Sequence, residues 1–275
     1  MIQHLLDSDI ARTPLAGLNR QHVRHHCNEV EKKHGRSRGD LAAMVVSILW
    51  EFADQRLSRQ CKLGERTNPV HRRARTYRAA PRLAWPVAVQ RRFVEGNPLA
   101  PTQQGRAPAP PHLALAFSLL IESGQRRGDV CAMKWSDIEH DPEGHQWLMV
   151  HAQQKTGEAV PIPLHKDLRV ALAKHGGRHK SEFILTTVTG RRYDPVRLSK
   201  DIRRRLIEIG EPPGRFTVHG LRKARVVRMA ERGATVEMLM SAFGWRSSQM
   251  ALFYAREASK RRLNAAAWSL VESAA

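Results

Sequence analysis

The sequence predicts a mainly α-helical protein with a small antiparallel β-sheet, divided into a short helical N-terminal part and a larger C-terminal domain. Three observations carry this reading. Apolar residues recur at helical spacing in several segments that stop at glycine. One pair of short extended candidates, QWLMVHAQ (146–153) and EAVPIP (158–163), flanks QKTG and reads as a hairpin with Lys155 and Gly157 at its turn. Finally, GERTNPVHRRARTYRAAPR has almost no apolar periodicity, carries two prolines and is dense in arginine, so it reads as an interdomain linker. The boundaries expected are a helical domain over 1–70, a linker over 71–80 and a second domain over 81–275.

Each element follows from its local pattern. LAAMVVSILWEFADQRL (41–57) is a helix, preceded by the more polar QHVRHHCNEVEKKHG. AWPVAVQRRFVEG is a short amphipathic helix with Pro86 near its first turn. NPLAPTQQGRAPAPP, from Asn97 to Pro111, is too rich in proline for a helix or central strand and is expected as an exposed loop. HLALAFSLLIES is a buried helix, followed by a turn at Gly124 and another helix over the next residues. The C-terminal part holds further helices in KDLRVALAKHG, VRLSKDIRRRLIEIG, HGLRKARVVRMAERG and TVEMLMSAFG.

The chain has 275 residues and a formal charge of +20, with 35 arginines against 11 lysines. The excess is spread along the chain, so the partner expected is a polyanion, and double-stranded DNA above all, whose phosphates release condensed counterions when arginines replace them. A generally basic surface without a nucleic-acid role is the alternative. In the linker, Arg72, Arg73, Arg75 and Arg78 are the candidate DNA-backbone contacts. No run of about 18 apolar residues occurs, and the N-terminus lacks a signal-peptide pattern, so a soluble, intracellular protein with no membrane partner is expected. Cys27, Cys61 and Cys131 lack a CxxC spacing and read as reduced thiols. His25 and His26 beside Cys27 do not make a metal site, because adjacent side chains point apart and no second cluster completes a ligand set.

Four separated segments need one explanation: SGQRRGDV, QQKTGEAVPIPL, HGLRKA and GWRSSQMALFY. Together they resemble the tyrosine recombinase (phage integrase) family over roughly residues 81–260. The resemblance implies that fold for the C-terminal domain, with a helical core-binding domain before it. It also implies six catalytic positions: Arg126, the hairpin lysine Lys155, the HxxR pair His219 and Arg222, then Trp245 and, nine residues later, the nucleophile Tyr254. Asp129, three residues after Arg126, resembles the acidic residue that holds the first arginine in place.

The chemistry suits these residue types. Attack on a phosphodiester builds charge on the non-bridging oxygens, and the guanidiniums of Arg126 and Arg222 can bind them bidentately while staying charged. A spacing of three places His219 and Arg222 on one helical face. Cationic neighbours are expected to favour the Tyr254 phenolate. Lys155 could protonate the departing 5′-oxygen, whereas the Trp245 indole can only donate a hydrogen bond. No Walker loop or paired carboxylates for two metals are present, so neither metal, ATP nor another cofactor is expected. The family further implies a homotetramer on two DNA sites, a monomer or weak oligomer when free, accessory factors or a partner recombinase, and a C-terminal exchange segment over about 257–275 bearing Trp268 and Leu270. A non-catalytic DNA-binding relative and a type IB topoisomerase are the rival readings.

Overall fold

The structure is a computed structural model that describes residues 2–61, 63, 67–70, 82–175, 181–187 and 189–272. It forms two compact units, Met1–Pro81 and Arg82–Ala275. The candidate contacts Arg72, Arg73, Arg75 and Arg78, with the linker that carries them, lie outside the described residues.

The first unit is helical. Short helices α1 (Ile2–Leu6) and α2 (Asp9–Arg12) lead through a 3-10 turn into α3 (Arg20–His34) and α4 (Arg36–Cys61). Asn19 starts α3 by accepting from the backbone N–H groups of Gln21 and His22, and Gly35, at φ 87°, reverses the chain between α3 and α4. The apolar stripe expected over 41–57 is met here, with Ala43, Val46 and Trp50 of α4 in one cluster with Val23, Cys27 and Val30 of α3.

In the second unit, α5 (Val87–Glu95), α6 (Gln103–Arg106), α7 (Pro111–Ser123) and the one-turn α8 (Arg127–Val130) precede a three-stranded sheet. Its strands β1 (Ile138–His140), β2 (Gln146–Val150) and β3 (Val160–Pro163) are antiparallel in the order β1-β2-β3. Val150 opposite Val160 ends the β2–β3 ladder, and in the connection from 151 to 159 the chain turns at 154–156, where the Gly157 N–H donates to the Gln153 carbonyl at 2.8 Å and the Gln153 N–H to the Glu158 carbonyl at 2.9 Å, so Lys155 and Gly157, at φ 70°, lie at the turn as expected. The sequence reading missed β1, whose three residues show too little alternation to register. Helices α9 (Lys166–His175), α10 (Pro195–Glu208), α11 (Val218–Glu231), α12 (Val236–Phe243) and α13 (Gln249–Glu272) complete the unit.

Trp85 organises the main core. It stands against Phe93, Phe117 and Phe216, and its indole N–H donates to the Thr217 carbonyl at 2.8 Å, which pins the residue before α11. A second apolar cluster joins α11 to α12 and α13 through Val226, Leu239, Phe243, Ala251 and Tyr254. Both clusters therefore grip α11, which carries the HxxR pair.

The proline-rich stretch after α5 differs from the exposed loop expected. Ala100 is buried, α6 lies within the stretch, and its Gly105 packs so closely on the Glu208 carbonyl that any side chain would collide. The cause is Arg205 of α10. Its guanidinium is 1% exposed and donates to the carbonyls of Phe93, Gln104 and Ala107, satisfying loop oxygens that would otherwise need water. Arg205→Met should therefore lower unfolding free energy by about 3 kcal/mol or more, since each orphaned buried carbonyl costs about 1–3 kcal/mol. Urea denaturation checks this, and a loss close to zero would show that the loop does not depend on the guanidinium.

Candidate DNA-cleavage site

The site is a basic cleft of about 560 Å³ in the second unit, lined by Arg82, Arg126, Arg127, Arg203, His219 and Arg222 among others. Three of the six motif positions, Arg126, His219 and Arg222, thus come together from segments nearly 100 residues apart in sequence. Arg126 is the residue before α8, in extended backbone at φ −70° and ψ 151°. Gly124, with φ 63°, ends α7 just before it and lets the chain turn into the cleft. His219 and Arg222 occupy the first turn of α11, on the same side of the helix.

Arg222 is 5% exposed and donates to the backbone carbonyls of Gly124 at 3.1 Å and Phe243 at 2.8 Å. Burial, then the neighbouring Arg126, push its pKa down to about 10, so it remains charged at neutral pH. Its guanidinium also lies over the rings of Phe243 and Trp245, 5.1 and 5.8 Å from their centroids. From there an aromatic stack runs outward. Phe243 stacks on Trp245 at 5.2 Å, and Trp245 stacks on Tyr254 at 6.2 Å with the rings 12° from parallel. Gly244 at φ 58° ends α12 and turns Trp245 back into this stack.

Tyr254 is 9% exposed in α13. Its phenol pKa is raised, because burial outweighs the opposing charge of Arg222. This corrects the expectation that the cationic neighbours favour the phenolate: in the free chain desolvation wins. Tyr193 is 2% exposed and donates to Asp201, and burial and that hydrogen bond raise its pKa, so it is no rival nucleophile. Cys131 is likewise inert, with burial pushing its thiol up to about 12.

Two expectations are met differently. Asp129 does not hold Arg126: its Oδ1 accepts from the Gln154 backbone N–H at 3.0 Å, and the Arg126 guanidinium donates instead to the Gln153 side chain at 2.6 Å. The reason is geometric, since Arg126 precedes α8 and does not share a helical face with Asp129. Lys155 is exposed on the β2–β3 connection and is absent from the cleft lining. The connection itself is tied to the cleft, because Thr156 donates to the same Gln153 oxygen.

The sequence reading missed Arg82, Arg127 and Arg203, three more cations of the cleft, among 35 arginines that spacing alone cannot rank. Among the described residues, the one cluster with metal-ligating geometry is Asp141, Glu143 and His145 in the β1–β2 turn, away from the cleft lining. No helix among them is long and apolar enough to cross a membrane.

His219 opens to solvent along the cleft, but its pKa falls to about 4, through burial of the rest of the ring and then the charges of Arg82, Arg222, Arg126 and Lys223. The imidazole is therefore neutral at pH 7. As pH falls from about 6.5, the ordinary value, toward about 4, the unfolded chain takes up a proton that the folded chain refuses, so stability declines. His219→Gln should lose less stability than wild type between pH 7 and 5, measured by urea midpoints. An equal loss in both would place the acid sensitivity elsewhere.

Comparison with known proteins identifies the family and the fold. Residues 99–261 match the Phage integrase family. The integrase of Escherichia phage lambda is 30% identical over 165 residues, covering 55% of this chain and 43% of that protein. The integrase of Escherichia phage HK022 is 39% identical over 76 residues, or 28% of this chain and 20% of its own length. The chain thus spans less than half the length of these phage integrases. Among solved structures, a lambda integrase dimer bound to a COC′ core site superposes with a TM-score of 0.67 at 21% identity, covering 90% of this chain and 88% of that one. The Tn1549 transposon integrase in complex with transposon right end DNA gives 0.69 at 15% identity, covering 96% and 91%. These two likenesses establish the fold, which is mainly helical with a small antiparallel sheet and is shared with both integrases.

Proposed function

We propose that this chain, which belongs to the phage integrase family, is a site-specific DNA recombinase that cuts and rejoins strands with Tyr254 as its covalent nucleophile. The observation that carries the reading is the convergence of Arg126, His219 and Arg222 on one basic cleft, with Trp245 and Tyr254 stacked behind Arg222. A phosphodiester is the group that such a donor set fits. Arg126 and Arg222 present fixed, charged forks to its non-bridging oxygens, and these bonds strengthen as charge develops in the transition state.

In the proposed reaction the Tyr254 oxygen attacks phosphorus and the bond to the 5′-oxygen breaks. The products are a 3′-phosphotyrosine and a free 5′-hydroxyl. Lys155, on its exposed connection, supplies the proton to the leaving oxygen. The tyrosine proton has to leave toward the solvent side of the cleft or to His219, because the Trp245 indole cannot accept one. A phosphate entering the cleft would offset the four cations that depress His219, raising its basicity when substrate is present. The same anion offsets the Arg222 charge that favours the Tyr254 phenolate, so the phenol gives up its proton as its oxygen attacks and not before. The phosphotyrosine linkage retains the energy of the broken bond, so rejoining requires neither ATP nor metal.

The partner follows from the same charge. Double-stranded DNA suits a chain of net charge +20, and Arg72, Arg73, Arg75 and Arg78 are the proposed contacts to its backbone. The lambda integrase structures include a tetramer bound to a Holliday junction. By extension, a tetramer on two DNA sites is the working assembly proposed here. Its exchanged element would be the distal part of α13, where Trp268 is 69% exposed; the Leu270 side chain lies outside the described residues. A nucleoid location in a bacterial or phage-infected cytoplasm follows from DNA as substrate.

The test is incubation with nicked suicide DNA sites in EDTA without ATP. Wild type should form a covalent protein–DNA adduct and Tyr254→Phe none; an adduct in the Phe variant, or none in wild type, would overturn the proposal. Arg126→Lys and Arg222→Lys should each slow adduct formation by about 100- to 1,000-fold, the scale set by loss of one oxyanion donor. Rates near wild type would remove those arginines from the transition state.

A further inference from the structure

We infer that Gln153 is the positioning residue that locks Arg126, Arg222 and the Lys155 connection into one register around the scissile phosphate. This deepens the proposed function and rests on it. The residue lies between β2 and Lys155 and is 1% exposed, unusual for an amide on a strand connection.

All four hydrogen-bonding valences of its side chain are used. Its Oε1 accepts from Arg126 at 2.6 Å and from the Thr156 hydroxyl at 2.8 Å. Its Nε2 donates to the Gln125 side-chain oxygen at 2.5 Å and to the Phe243 carbonyl at 3.2 Å. The partners fix which end is which, because a guanidinium can only donate and a backbone carbonyl can only accept. Asparagine would be a methylene short of this span, and serine could not hold four partners.

The Phe243 carbonyl is the connecting point, since it also accepts from Arg222. One neutral amide is therefore bonded directly to the first arginine and, through a shared oxygen, to the second. Through Thr156 it also anchors the residue next to Lys155. The chain at Gly244 has closed down onto it: a Cβ there would sit 2.7 Å from the Gln153 side-chain carbon, and φ 58° already favours glycine. The requirement for glycine at the end of α12 thus comes from the amide on the facing hairpin.

Neutrality is part of the role. A carboxylate in the same place would pair with Arg126 and withdraw part of the positive field meant for phosphate, while facing the Phe243 carbonyl without a proton to donate. Protonated, it would again offer one acceptor to Arg126 and one donor to that carbonyl. The two states make Gln153→Glu a built-in titration of the proposal.

The experiment measures single-turnover cleavage of the nicked suicide sites, DNA affinity and backbone hydrogen exchange, each well below the melting temperature of the variant. Gln153→Met should cleave roughly 100-fold more slowly at saturating protein, the scale of a small misplacement of reacting groups, with duplex affinity unchanged. Exchange should rise at the Gln154 and Gly157 amides and around Gly244 together. For Gln153→Glu, the cleavage rate relative to wild type should climb as pH falls. Cleavage by Gln153→Met at the wild-type rate, or a pH-independent ratio for Gln153→Glu, would overturn the inference. If Gln153→Met does not fold, the isosteric Glu variant decides through its pH profile. Should wild type itself fail to cleave, the functional reading falls. Coupled exchange at the two segments would then still support the structural lock, and independent exchange would refute it.

Discussion

Two guanidiniums must be held in one cleft with Asp129 only partly offsetting their charge and no carboxylate hydrogen-bonded to either among the described residues, and the rest of the second unit is arranged around that constraint. Like charges in a partly desolvated site repel, and the cost is visible in Arg222, whose pKa burial and Arg126 push down to about 10. An ion pair would relieve the repulsion but would compete with phosphate for the same donors. The recorded hydrogen bonds of both side chains go instead to neutral oxygens: Gly124 and Phe243 carbonyls for Arg222, and the Gln153 amide for Arg126. Aromatic faces of Phe243 and Trp245 supply further attraction without charge. The positive field therefore survives until an anion enters.

The same constraint accounts for the scaffold. α11 must present His219 and Arg222 at its first turn, so its start is fixed by the Trp85 indole on Thr217 and its body is gripped from two sides by apolar clusters. Gly220 in that turn packs against Trp85, where any side chain would collide with the Leu83 carbonyl. The glycine inside HGLR is thus a packing requirement of the helix that bears the two functional residues, and it reads as one element with them.

Much of this was legible in the sequence, for definite reasons. Helices α4, α7, α10 and α11 announce themselves because each packs on an apolar core and the apolar spacing records it. The six motif residues stood out because four segments in fixed order are far more specific than any one. What was hidden depends on contacts between distant segments. Arg205 looks like one of three successive arginines on a basic helix, yet it is the buried one, because the loop oxygens it satisfies are about 100 residues away in sequence. Gln153 looks like half of an unremarkable QQ pair. Only the fold shows that its neighbour Gln154 is exposed while Gln153 is saturated with partners. Asp129 illustrates the converse: its spacing from Arg126 suggested a shared helical face, but α8 begins one residue after Arg126, so the carboxylate serves the hairpin backbone instead.

The chemistry is therefore split between groups that are ready and groups that wait. Arg126 and Arg222 are charged and fixed in the free chain, while Tyr254 is buried with its pKa raised and His219 is neutral and depressed. The cationic field that depresses His219 is one that a phosphate diester would offset. An anion between the arginines cancels the field on His219. The buried Tyr254 phenol stays protonated at neutral pH in the free chain. Tryptophan at position 245 fits this logic: it supplies stacking for Tyr254 and a ring face for Arg222, but no proton acceptor that could activate the phenol ahead of DNA.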